Sequence, residues 1–193
     1  MPSWGGCKDK LDAGAIFAAM DGRRIFLIGF MGAGKSQCGR QLAELLGFPF
    51  IDLDEVIEQR EGSSISDIFA RRGEGYFRQL ERIVLESLLP LPSFVMATGG
   101  GTPCFDDTIV QLNAAGTTVF LDVPVADLVE RLRHASAHRP LLAEREDLHG
   151  SIEQRLTERR SCYECAHLHL QLDNQTTDAA RLIYHRLLHH HDR

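Results

Sequence analysis

The chain has 193 residues, enough for one domain with a hydrophobic core of its own. Its formal net charge of -6 argues against a general nucleic-acid binder, because such proteins carry a basic face. Membrane partners are not expected either, since no apolar stretch approaches the roughly 18 residues that a span needs. Five scattered cysteines fit reduced thiols better than a disulfide framework, so we expect a cytoplasmic protein.

Short apolar runs alternate with amphipathic stretches after an N-terminal extension, residues 1–22, of unknown role. We expect the remainder, residues 23–193, to form a single domain. The apolar runs predict strands at 24–28, within 48–54, and at 94–98, 117–123 and 168–172. The amphipathic stretches predict helices at 35–46, 54–60, 64–71, 74–89, 105–115, 124–134, 150–161 and 176–189. This alternation favours a parallel sheet with helices on both faces, and ligands then gather at the carboxyl ends of the strands.

A glycine-rich motif, "GFMGAGKS" at residues 29–36, follows the first predicted strand and fits the pattern G-x-x-x-x-G-K-[ST]. Its glycines let the backbone curl with its N–H groups inward, where side chains would block a phosphate. The following helix presents its positive end to the same anion. Lys35 can reach the outer phosphates, and the Ser36 hydroxyl is a hard oxygen ligand for Mg²⁺. The motif predicts a nucleoside triphosphate site, but it does not identify the acceptor.

Three further features lie where predicted strands end. Asp52 and Asp54 are two residues apart in an extended segment, so both carboxylates can face one crevice. One could hold the Mg²⁺ shell and the other the acceptor hydroxyls, although a helix-capping role is the alternative. Arg78 lies on a helix in "GEGYFRQLE", and "ATGGGTP" at 97–103 brings bare backbone close to a ligand.

Together these features indicate an acceptor that is a small hydroxylated acid. A carboxylate such as Asp54 can orient or deprotonate a hydroxyl, and an arginine such as Arg78 can grip a carboxylate with paired bonds. The polar stretch at 134–144, which carries Arg139, is predicted to be a mobile lid over the triphosphate. Arg159 or Arg160 is either a second anion clamp or ordinary surface charge.

The ordered motifs GxxGxGKS, D-x-D, GEGYFR-x-x-E, GGG, RPLL and R-x-x-x-Y-x-x-A resemble those of shikimate kinases, a nucleoside-monophosphate-kinase-like branch of P-loop proteins. The resemblance spans about residues 24–188. It implies a three-layer α/β/α P-loop fold with a five-stranded parallel sheet in the order 2-3-1-4-5 and a mobile lid. The implied reaction is ATP-dependent phosphorylation of the 3-hydroxyl of shikimate by a monomer that uses Mg²⁺.

The resemblance also implies roles for individual residues. The catalytic residues would be Asp54, Lys35 and Arg139. ATP would be bound by Gly32, Ala33, Gly34, Lys35, Ser36, Gln37 and Arg139. Shikimate would be bound by Asp54, Arg78, Gly100 and Arg159, and Mg²⁺ by Ser36 and Asp52. The adenine loop would lie near 173–176, and whether Arg131 or Arg133 stacks on adenine stays open.

Two alternatives to shikimate phosphorylation are left open by the motifs. A gluconate kinase also phosphorylates a hydroxy acid, although the GEGYFR segment and the RPLL lid favour shikimate. A catalytically silent nucleotide-binding module belongs to another class of protein. Such a module should have lost one of the chemical groups, but Lys35, Asp54, Arg78 and Arg139 are all present.

Overall fold

The computed structural model describes residues 23–135, 148–176 and 178–189 of the chain. The strands found in these ranges form one sheet, with β1 at Arg24–Ile28, β2 at Phe50–Asp52, β3 at Phe94–Ala97, β4 at Thr117–Asp122 and β5 at Leu168–Gln171. Every neighbouring pair is parallel, and the order across the sheet is β2-β3-β1-β4-β5. The predicted fold class and strand order are confirmed.

The helices of the described ranges are α1 at Lys35–Leu46, α2 at Leu53–Glu61, α3 at Ile65–Leu88, α4 at Thr108–Ala115, α5 at Val125–Ala135, α6 at Leu148–Tyr163 and α7 at Ala179–His189. A short 3₁₀ helix occupies Thr102–Cys104. None of these helices is both long enough and apolar enough to cross a membrane.

The helices predicted at 64–71 and 74–89 are confirmed as the two parts of α3, which is interrupted at Gly73, where φ is 78° and ψ is 171°. One helix start differs from the sequence prediction. The helix predicted at 105–115 begins only at Thr108, because Asp106 and Asp107 have φ values of 48° and 54°. Left-handed backbone at these two residues cannot continue a right-handed helix, so the chain makes a 3₁₀ turn and a bend first.

The core follows from the apolar runs. Helices on both faces of the sheet bury the central strands β1 and β3, and Phe26, Leu27 and Met96 are fully inaccessible to solvent. The register pairs Leu27 with Ala97, and Ala97 in turn with Asp52. The loops that follow β1, β2 and β3 therefore open at one edge of the sheet, and this edge carries the site.

Two predicted segments lie outside the described residues. They are the N-terminal extension, 1–22, and most of the predicted lid, 136–144, which includes Arg139. The first two lid residues, 134 and 135, belong to the end of α5.

Candidate active site

The glycine-rich loop between β1 and α1 curls as the motif predicts. Gly32 and Gly34 have φ values of 80° and 91°, which L-residues with side chains rarely adopt, and α1 begins directly after Gly34. Lys35 is buried, and its Nζ donates to the carbonyls of Gly29 and Phe30 at 2.9 Å each. Burial lowers the pKa of Lys35 to about 8, although the nearby carboxylates of Asp52 and Asp54 oppose the shift.

Asp52 performs the capping role and faces the phosphate loop at the same time. Its Oδ1 accepts the N–H of Asp54 at 3.2 Å and caps α2, while its Oδ2 accepts the hydroxyl of Ser36 at 2.5 Å. The pair offers two hard oxygen ligands. Mg²⁺ is usually bound by one or two such groups together with substrate phosphates, so the donor set fits this ion. Among the described residues no cluster of three or more His, Cys, Asp or Glu side chains could hold a metal alone.

A cavity of about 480 Å³ lies beside the phosphate loop, between α1 and the segment after β5. Predicted ATP-binding residues in its wall are Gly32, Ala33, Gly34 and Gln37. Of the two arginines left open, Arg131 lines this cavity. Its guanidinium is held by the side-chain oxygen of Asn174 at 2.9 Å and the carbonyl of Asp173 at 3.2 Å. Arg131 therefore contacts the loop at 173–176 that is expected to lie near adenine.

A second cavity, of about 710 Å³, lies on the other side of the phosphate loop and is called here the acceptor cavity. All four predicted substrate-binding residues line it, namely Asp54, Arg78, Gly100 and Arg159. Apolar side chains of α3 and the phosphate loop complete the wall, among them Met31, Ile65, Phe69 and Phe77. The predicted carboxylate and both predicted guanidiniums therefore share one crevice, next to the predicted triphosphate site.

The glycine run after β3 lets the charged groups approach the backbone closely. A Cβ on Gly101 would lie 2.4 Å from Nη2 of Arg78, and one on Gly99 would lie 3.0 Å from Oδ1 of Asp54. The carbonyl of Gly100 accepts from Nη1 of Arg159 at 3.3 Å. The run Gly99–Gly101 is thus in contact with both sides of the acceptor cavity, and a Cβ on Gly99 or Gly101 would force its neighbours to move.

The carboxylate of Asp54 is tuned by its surroundings. Burial, followed by the charges of Glu81 and Asp52, raises its pKa to about 6, and Lys35 opposes the shift. Glu81 is itself 3% exposed, and it accepts from Nη1 of Arg78 at 2.8 Å and from the Thr102 hydroxyl. A carboxylate with such a pKa is mostly ionised at pH 7 and still basic enough to take a proton.

Arg160 is not part of the cavity wall. Its guanidinium binds Asp122 with two bonds of 3.0 and 3.2 Å, so it ties α6 to the end of β4. Of the two arginines weighed from the sequence, only Arg159 reaches the acceptor cavity.

The sequence interpretation gave no role to Glu81, Arg155 or Tyr163. Arg155 lines the acceptor cavity one helical turn before Arg159, and the buried Tyr163, one turn after it, donates its hydroxyl to the Gly100 carbonyl. The signal that could have found both is the spacing of four residues on either side of Arg159, which places them on one face of a helix. Glu81 follows Arg78 by three residues on α3 and shares its face for the same reason.

The fold and the phosphate loop define the chain as a P-loop protein, with one cavity on each side of that loop. Comparison with known proteins identifies one family. The sequence pattern of the family described as Shikimate kinase matches residues 31–189. A shikimate kinase of Parabacteroides distasonis is 42% identical over 81% of this chain and 92% of the relative. One of Synechococcus is 43% identical over 83% of each chain. The chain belongs to the shikimate kinase family.

Solved structures agree with this assignment. Shikimate kinase from Acinetobacter baumannii in complex with shikimate superposes with a TM-score of 0.83 at 35% identity, covering 92% of this chain and 99% of that one. The enzyme from Bacteroides thetaiotaomicron gives 0.79 at 39% identity, covering 86% and 98%. A gluconokinase from Sinorhizobium meliloti, at 18% identity and 0.51, shares the fold alone.

Proposed function

We propose that this chain transfers the γ-phosphoryl group of ATP to the 3-hydroxyl of shikimate. The observation that carries the proposal is the acceptor cavity, which holds the Asp54 carboxylate together with the guanidiniums of Arg78 and Arg159. A hydroxy acid needs both kinds of group, a base for the reacting hydroxyl and a clamp for the carboxylate. The family assignment supports the same reaction and does not favour gluconate.

On the nucleotide side, the backbone of 32–34 would bind the phosphates and Lys35 would neutralise their charge. Arg131 would pack against adenine in the 480 Å³ cavity. Ser36 and Asp52 would hold Mg²⁺, which when bound with ATP supplies charge neutralisation on the transferring phosphate. Arg139, from the predicted lid, stays a proposal from the sequence, and so do the cytoplasmic location and the monomeric state.

On the acceptor side, Arg78 and Arg159 would bind the carboxylate of shikimate, and Gly100 would contribute a backbone bond. Asp54 would orient the 3-hydroxyl and accept its proton as the oxygen attacks phosphorus. The apolar wall and a closed lid would exclude water, which otherwise competes with the acceptor.

The direct test is ADP release from ATP with shikimate and gluconate offered side by side. We expect turnover with shikimate, and turnover with gluconate alone would refute the proposed substrate. The clamp is tested by calorimetry on Arg78→Ala. Because a charge-assisted bond contributes about 1.5–3 kcal/mol, shikimate binding should weaken roughly 10- to 150-fold while ATP binding is kept.

Arg82→Ala is the matched control for Arg78→Ala. Arg82 lies on the same helix four residues later, but its side chain is 55% exposed and pairs with Glu86 and Asp106 on the surface. We expect this variant to bind shikimate like the unmodified chain. Equal losses in both variants would contradict the assignment of the clamp to Arg78.

A further inference from the structure

Three thiols lie at the junction of the 3₁₀ helix and α6, the helix that contributes Arg159 to the acceptor cavity. Cys104 is the last residue of the 3₁₀ helix, Cys162 lies in the last turn of α6, and Cys165 follows two residues after its end. The Sγ of Cys104 is 3.8 Å from the carbonyl of Arg159, which places it against the end of α6 that carries Cys162. The thiols of Cys104 and Cys162 interact with each other. Cys165 instead donates to the carbonyl of Ser161 at 3.3 Å.

The two paired thiols differ in exposure and in proton affinity. Cys104 is exposed and Cys162 is half-buried. The interaction with the Cys162 thiol lowers the pKa of Cys104, burial opposes this, and the charges of Arg159 and Arg78 add to the lowering. The same interaction, burial and the Cys104 charge raise the pKa of Cys162. Cys104, which is exposed and lies next to Arg159, is therefore the more readily ionised of the two thiols.

We propose that Cys104 and Cys162 form an oxidation site at which a hydroperoxide converts the two thiols into a disulfide. The Cys104 thiolate attacks one oxygen of hydrogen peroxide, the O–O bond breaks, and the released hydroxide takes a proton to become water. The sulfur of Cys162 then attacks the Cys104 sulfenic acid. The S–O bond breaks, and the leaving hydroxide departs as water with the Cys162 proton. One peroxide is reduced to two waters as two thiols are oxidised.

The position of the pair gives the disulfide a consequence for the acceptor cavity. Cys104 follows the glycine run that contributes Gly100, and Cys162 lies on the helix that contributes Arg159. A sulfur–sulfur bond of about 2 Å would draw Cys104 towards Cys162 and away from the Arg159 carbonyl. We expect the contact between Arg159 and Gly100 to shift, with weaker acceptor binding and unchanged nucleotide binding. This second step rests on the proposed function.

Peptide mapping tests the disulfide without any reference to activity. Trypsin places Cys104 in residues 83–131 and Cys162 with Cys165 in residues 161–181, while Cys7 and Cys38 fall in other peptides. After treatment of the full chain with hydrogen peroxide, we expect a cross-link between these two peptides within one chain. It should persist in Cys165→Ser and disappear in Cys104→Ser and in Cys162→Ser.

A cross-link that is lost in Cys165→Ser but kept in Cys162→Ser would overturn the assignment. So would oxidation of Cys104 to sulfinic acid in the unmodified chain without any cross-link. Cys165→Ser is the matched control, since its thiol lies in the same peptide and is also exposed.

Kinetics tests the second step on the same oxidised sample. We expect the KM for shikimate to rise about tenfold, the change expected when one charge-assisted contact is lost, and to return after dithiothreitol. The KM for ATP should not change, and Cys104→Ser should show no response to peroxide. An unchanged shikimate KM in a cross-linked sample would overturn the coupling. Absence of shikimate turnover in the reduced chain would refute the proposed function instead, and the peptide map would still decide the disulfide.

Discussion

The environment of Asp54 lowers the stability of the folded chain when this carboxylate is ionised. Burial and the charges of Glu81 and Asp52 raise its pKa to about 6, so the native state binds more protons than the unfolded chain between about pH 4 and pH 6. Stability therefore falls as pH rises through this window, and at pH 7.5 the ionised carboxylate destabilises the fold. Under the proposed function this cost keeps a carboxylate at the site that can accept a proton near neutral pH.

Asp54→Asn should separate the two effects. Without the charge the penalty is removed, and we expect a melting temperature several degrees higher at pH 7.5, from at most about 3 kcal/mol. Turnover should fall about 10²- to 10⁴-fold with ATP binding unchanged. Scanning calorimetry measures the melting temperature, and ADP release measures the turnover. Glu55→Gln, on the surface of the same helix, is the control. Nearly full turnover in Asp54→Asn would remove Asp54 from the mechanism.

Glu81 is expected to set the acid limb of the pH profile. Its charge raises the pKa of Asp54, so Glu81→Gln should lower that pKa. We expect kcat/KM to fall as pH drops below about 6, and in Glu81→Gln this acid limb of the profile should lie at lower pH. The amide oxygen of glutamine can still accept from Arg78, so the clamp stays in place. The measurement is kcat/KM for shikimate from about pH 5 to pH 8. An unmoved limb would show that another group titrates there.

The sequence was sufficient to nominate Asp54 and Arg78, because each lies in a spaced motif next to a predicted strand or helix. It was not sufficient to show that Glu81 faces both of them. A buried carboxylate is recognised by its surroundings in three dimensions, and α3 alone presents Glu81 as one more charge on an amphipathic helix. The pairing of Cys104 with Cys162 has the same origin, since 58 residues separate them in the chain.

At the scale of elements, hydrophobic periodicity located all five strands of the described ranges, because burial on both faces of a parallel sheet leaves continuous apolar runs. Helix ends were harder to predict. The left-handed backbone at Asp106 and Asp107 delays α4, and nothing in the local pattern requires it, since aspartate usually accepts helical angles. The break predicted between 71 and 74 is present at Gly73, whose backbone angles are not helical.

The glycine run supplies a prediction about packing. Gly101 has φ of -97°, which any residue can adopt, so Gly101→Ala should not strain the backbone. Its Cβ would lie 2.4 Å from Nη2 of Arg78 and displace the guanidinium. We expect the KM for shikimate to rise about tenfold or more, with little change for ATP. Gly75→Ala is the control, because a Cβ at this position would meet nothing within 4 Å beyond its neighbours and the backbone of its own helix. Equal kinetics for the two variants would contradict this packing.

For the whole molecule, the parallel register assembles the site from distant parts of the chain. The phosphate loop follows β1, β2 ends at Asp52 with Asp54 just after it, and the glycine run follows β3. These three strands end at one edge of the sheet. Strand order came from the family resemblance, whereas the convergence of these loops follows from any parallel sheet. The orientation of α6, which brings Arg159 to the same edge, depends on contacts such as the pair of Arg160 with Asp122 that no sequence pattern announces.

The division of the chain at residue 23 leads to a prediction for the whole molecule. All described strands and helices begin at or after Arg24, and the family pattern begins at residue 31. Arg24, the first residue of β1, binds the segments that precede β3 and β4. Its Nε donates to the Leu91 carbonyl at 2.8 Å and its Nη1 to the Ala115 carbonyl at 3.2 Å. A chain that starts at residue 23 should therefore keep these hydrogen bonds. We expect its kcat and both KM values within about twofold of the full chain, and its melting temperature within a few degrees. A tenfold loss of turnover in a folded truncated chain would instead assign residues 1–22 a part in the reaction.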